Sequence, residues 1–70
     1  MDYDWDEDNV GHIARHRVGP KEGEEAVEDP RRAPKSVRGG RVGLVGMTLD
    51  GRLLAVMLER RGRRGRVIMA

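Results

Sequence analysis

Seventy residues without a single cysteine bound one small domain, 1–70, and exclude disulfides, thiolate metal sites and cysteine nucleophiles. The formal net charge of +2 conceals a sorted distribution: residues 1–30 hold ten acids against three bases, and residues 31–70 hold eleven bases against two acids, Asp50 and Glu59. That asymmetry suggests a polyanion-binding surface with an acidic segment beside it, or else two halves that neutralise each other.

Along the chain, Tyr3 to Asp6 reads as a short strand ending in a helix cap. Asp6 as N-cap places Trp5 and Val10 at the spacing of a hydrophobic staple, and a helix follows from Glu7 to His16. Its acids fall in the first turn and Arg15, His16 and Arg17 in the last, where each sign complements the macrodipole. Gly19 and Pro20 then start a second helix, weakly amphipathic through Ala26 and Val27, which must end before Pro30.

A basic connection follows, with an edge strand around Ser36 to Arg38. Arg41–Thr48 and Arg52–Arg60 are strand-like runs around Asp50-Gly51, a strong two-residue hairpin signal. In that register Met47 faces Leu54, Val45 faces Val56 and Arg41 faces Arg60, while Val42, Leu44 and Gly46 share the other side with Met57, Ala55 and Leu53. Both faces are mostly apolar, so one is left over as an interface after the helices cover the other. A basic turn from Arg61 to Gly65 leads into a last strand, Arg66 to Met69, and sets Glu59 against Arg66. The expected fold class is α+β: a short N-terminal strand, two helices and a three- to four-stranded antiparallel meander.

Several residues could carry chemistry. Arg41 opposite Arg60 is an unfavourable pair unless an anion lies between them or both side chains splay into water. Glu59 beside Arg66 is either an ordinary cross-strand ion pair or a general base among cations, the arrangement that phosphodiester cleavage needs. His12 and His16 lie on one helix face, open to an acid/base or RNA-contact role, with too few partners for a metal. Arg41, Arg60, Arg61, Arg63 and Arg64 are the candidate RNA contacts, since the guanidinium fork suits phosphate. No cofactor and no metal are expected. A core built without phenylalanine calls for self-association as a dimer or higher. No apolar run suggests a signal peptide or a membrane span, so a cytoplasmic location is expected.

Three segments together resemble BrnT-type toxins, the small RelE-like ribonucleases of type II toxin–antitoxin operons. They are Trp5-Asp6-Glu7-Asp8-Asn9, His12-Ile13-Ala14-Arg15-His16, and Glu24-Glu25-Ala26 leading to Asp29-Pro30. Downstream, Arg41 before a strand, Asp50-Gly51-Arg52-Leu53-Leu54 and Glu59-Arg60 through Arg64 to Ile68 resemble the family's strand pair and closing strand. Arg17 departs from the pattern, standing where the family usually has glycine. The resemblance implies a RelE-like fold, metal-independent endoribonuclease activity that slows translation, and neutralisation by a cognate antitoxin. It places the catalytic groups at His16, Glu59 and Arg66, in a groove with Arg41, Arg60 and Arg64. The alternative is a non-catalytic module that binds RNA or an acidic antitoxin segment through the same arginines.

Overall fold

The computed structural model describes residues 2–70. In chain order it contains β1 (Asp2–Tyr3), α1 (Glu7–Ala14), α2 (Pro20–Glu28), β2 (Ala33–Arg38), β3 (Arg41–Met47), β4 (Leu53–Arg61) and β5 (Arg64–Met69). The strands form one five-stranded sheet in the order β1-β5-β4-β3-β2. β2 through β5 each pair antiparallel with the next, and β1 joins the outer edge parallel to β5. The fold is therefore α+β with a mixed sheet.

Local chemistry sets both helix starts. The Asp6 carboxylate accepts from the Asp8 and Asn9 amides, and the Asn9 side chain accepts from the Asp6 amide at 2.8 Å, a reciprocal box with asparagine in the third position. Gly19 donates its amide to Glu22 at 3.1 Å, and Pro20 occupies the first turn of α2. Trp5 lies over Gly23 and donates its indole N–H to Glu24 at 2.6 Å, tying the β1–α1 junction to α2.

α1 closes two residues earlier than expected, and its closure is unusual. The Val18 amide reaches back to the Ile13 carbonyl and the Arg17 amide to that of Ala14, a Schellman pattern with Arg17 at φ 60°. Val18 and Ile13 are both buried, which supplies the apolar contact of that motif. Arg52 then donates to the carbonyls of His16 at 3.2 Å and Arg17 at 2.6 Å and pairs with Glu22 at 3.2 Å.

The hairpin register differs from the two-residue reading by one position. Arg41 faces Glu59, Leu44 faces Val56 and Met47 faces Leu53. The loop is three residues, Leu49-Asp50-Gly51, with Gly51 at φ 89°. The Thr48 hydroxyl accepts from the Arg52 amide and donates to the Asp50 carboxylate, closing the wider loop. One residue of slip moves a whole strand's side chains to the other face. The core face accordingly joins Leu44 of β3 with Leu54, Val56 and Leu58 of β4, a combination that the expected register separates.

Ile13, Val18, Ala26, Val27 and Val67 complete the core from the helices and β5. α2 sits against β3 so closely that a methyl on Gly46 would overlap the Ala26 backbone, with the carbonyl carbon 2.7 Å away. On the reverse face Met47, Leu53 and Met69 are exposed, and nothing among the described residues covers them.

Replacing Arg17 with glycine removes the left-handed strain of a residue bearing a Cβ, while Arg52 still caps the carbonyl. The substitution should stabilise the protein by about 1 kcal/mol in urea denaturation; an unchanged or lower midpoint would show that the Arg17 side chain itself contributes there.

Candidate nucleic-acid interface

The β2–β3 and β4–β5 turns lie at the same end of the sheet, and the Arg60 amide donates to the Gly40 carbonyl between them at 2.9 Å. Both turns use glycines at positive φ, Gly39, Gly40 and Gly62, so that the chain reverses tightly and arginines flank each reversal. Arg38, Arg41, Arg60, Arg61, Arg63 and Arg64 are thereby gathered along one rim, all of them exposed. The sequence scatters them over 27 positions; the pairing of β3 with β4 brings them together.

Part of this charge is answered from within. Glu59 pairs with Arg61 at 2.7 Å and Arg41 at 3.3 Å, Arg64 pairs with Asp4, and Arg66 pairs with Asp6 at 2.6 Å. Arg38, Arg60 and Arg63 have no ion pair among the described residues. Internal neutralisation, one of the two opening readings of the charge asymmetry, thus holds for some of the arginines. The acidic start neutralises Arg64 and Arg66, Glu59 answers Arg41 and Arg61, and Arg38, Arg60 and Arg63 are left without an ion pair among the described residues.

The structure also sorts the expected catalytic groups. Glu59 and Arg66 are direct cross-strand neighbours, as the Gly62-Arg63 turn implies, although each side chain takes other partners. His16 stands at the other end of the molecule. Its carbonyl is held by Arg52, which precedes β4, and Glu59 lies six residues beyond Leu53, roughly 20 Å along the strand. His16 therefore shares no groove with Glu59. The expected Arg41–Arg60 confrontation is absent too, because the three-residue loop puts Glu59 opposite Arg41. The guanidinium of Arg61, with that of Arg41, holds the Glu59 carboxyl below the usual carboxylate range.

A cleft that sequence reasoning missed opens beside this rim, on the helix side of the sheet. It encloses about 510 Å³ between the end of α2, β1 and strands β2 to β4. Val27, Val42, Leu44 and Leu58 give it an apolar floor, and Tyr3, Glu28, Arg32 and Arg60 give it polar walls. The Tyr3 hydroxyl is buried without a hydrogen-bond partner. Burial, reinforced by the Glu28 and Glu24 carboxylates, pushes its pKa up to about 12. Only Arg60 belongs to the motifs singled out in the sequence. The isolated Tyr3, one of two aromatic residues in the chain, is the only local signal for the rest.

Among the described residues no group of three histidine, aspartate or glutamate side chains converges to hold a metal ion. No helix is long and apolar enough to cross a membrane. No protein-family model, curated protein or solved structure matches the chain.

The Arg66 guanidinium, followed by the Asn9 and Asp8 amides, lowers the Asp6 pKa from 3.8 to about 2. Because the folded value is the depressed one, this contribution is complete above pH 3.8 and disappears as pH falls towards 2. Asparagine caps helices as well as aspartate but carries no charge. Melting curves from pH 5 to 2 should therefore fall less steeply for Asp6→Asn than for the wild type; parallel curves would show that Asp6 does not couple folding to protons.

Proposed function

We propose that this protein acts on RNA, gripping a single strand with the arginine rim and cleaving it as a toxin-like, metal-independent endoribonuclease. One observation carries the RNA reading: two arginine-bearing turns lie side by side, and Arg38, Arg60 and Arg63 remain without an internal carboxylate. Guanidinium groups spaced along an exposed edge suit the phosphates of an extended strand. Cleavage rests on the resemblance to BrnT-type toxins, with Glu59 and Arg66 adjacent in the sheet in support. The same resemblance supplies a RelE-like fold and a cognate antitoxin. The uncovered apolar face around Met47, Leu53 and Met69 suits self-association as a dimer or higher.

A second reading, a non-catalytic RNA-binding module, has its own support. A general base works best with a pKa near the operating pH, whereas two arginines hold Glu59 well below it. His16 is also too distant to take over that role from its place beside Arg52.

Filter binding with an unstructured oligonucleotide tests the shared part of both readings. Affinity should fall with salt at a slope of about −0.7 per phosphate engaged, and Arg38→Gln or Arg63→Gln should each flatten it by about that amount. Arg64→Gln should change it less, since Asp4 already neutralises that side chain. A flat salt response would contradict RNA binding. Incubation with RNA in the presence of a chelator separates the two readings. The ribonuclease reading expects cleavage that drops about 10²–10⁴-fold in Glu59→Gln, and intact RNA transfers the conclusion to the binding module.

A further inference from the structure

We infer that the helix-side cleft is a nucleotide subsite selective for guanine, with Glu28 reading the base and Arg32 and Arg60 holding its phosphate. The inference rests on the RNA reading and extends it from backbone grip to base choice.

Three features of the cleft point the same way. Its volume of about 510 Å³ falls in the range of small-molecule sites. Its floor of Val27, Val42, Leu44 and Leu58 is apolar, which suits the faces of a base and not a bare inorganic ion. Its polar groups are unspent. Among the described residues Glu28 and Arg60 have no ion pair, and the Arg32 guanidinium donates to the Asp29 carbonyl at 3.2 Å. Burial and then the facing Glu28 carboxylate raise the pKa of the Tyr3 hydroxyl, but the hydroxyl has no partner within hydrogen-bond distance among the described residues. A buried unpaired hydroxyl is costly in a finished core and is relieved when a ligand supplies a partner.

The choice of base follows from the carboxylate. Glu28 can only accept, through two oxygens side by side. Among the four RNA bases only guanine presents two adjacent N–H donors, the ring imino and the exocyclic amino group. Adenine and cytosine offer an amino group beside an acceptor, and uracil offers one imino group between two carbonyls. An acceptor-only pair therefore bonds guanine twice and meets a lone pair on each of the others. Arg60 belongs both to the cleft wall and to the exposed rim, so a strand lying along the rim can turn one nucleotide inward there.

The test is titration of the full chain at low salt with 5′-GMP, AMP, CMP and UMP, followed by NMR. GMP should bind about tenfold more tightly than the others, the usual worth of a good bidentate base contact. Glu28→Gln, at an exposed position without an ion pair among the described residues, should fold normally and bring GMP down to the level of the rest. Arg60→Gln should weaken all four alike. Equal affinities, no binding of any nucleotide, or a guanine preference that survives Glu28→Gln would each overturn the inference. Retention of an oligonucleotide in the filter assay is read separately. A chain that binds RNA without base preference keeps the RNA reading and loses this one, and a chain that binds GMP without retaining RNA does the reverse.

Discussion

The three-residue turn Leu49-Asp50-Gly51 governs most of what this protein presents to a partner. It sets β3 against β4, and the resulting register decides which side chains enter the core and which arginines meet a carboxylate. With Arg41 opposite Glu59, the reverse face at the far end of the hairpin carries an ion-paired cluster. A shift of one residue would place Arg41 beside Arg60, move Leu44 away from Val56 and break the packing of α2 over β3. The turn is held by the Thr48 hydroxyl, which bonds the Arg52 amide and the Asp50 carboxylate, and by the Thr48 amide on the Arg52 carbonyl at 2.8 Å. Arg52 couples the same turn to the C-terminal end of α1, so register and helix docking are not independent.

The charge pattern acquires a spatial meaning in this frame. β1 lies parallel to β5, which brings the acidic start of the chain against its basic end, 60 positions away. Asp4 and Asp6 are satisfied there by Arg64 and Arg66, and Asp6 serves at once as helix cap and ion-pair partner. Other acids go to backbone amides: Asp29 to Met47 and Arg31, Glu25 to Leu49. The acidic half thus staples the fold at several points, while Arg38, Arg60 and Arg63 at the two turns keep no ion pair among the described residues. Exposed ion pairs of this kind contribute little individually; their effect here is to choose which cations stay available.

What was legible in the sequence was local. Asp6 and the Gly19-Pro20 pair marked both helix starts, because caps and prolines act within one turn, and Gly62-Arg63 predicted the pairing of Glu59 with Arg66. The Asp50-Gly51 pair alone implies a two-residue turn, yet glycine at positive φ serves equally as the last residue of a three-residue loop. The discriminating contact was the Thr48 side chain, which the two-residue template ignores. The cleft was invisible for a different reason. Tyr3, the Glu28–Arg32 segment and Arg60 come from three separate parts of the chain and share no spacing rule. Arg17, a basic residue at the end of the first helix and a departure from glycine in the sequence, occupies a left-handed backbone position, where a glycine would be at ease.

If this protein grips RNA as proposed, the arginine turns at one end of the sheet, and not the basic half as a whole, make the contact. Amide chemical-shift mapping with a short unstructured oligonucleotide tests it most directly. The largest shifts should fall on Gly39, Gly40 and Gly62 and their neighbours, while Leu49 to Arg52 at the opposite end stay unchanged. Shifts centred on Arg52 and His16, or spread evenly over both ends, would contradict it.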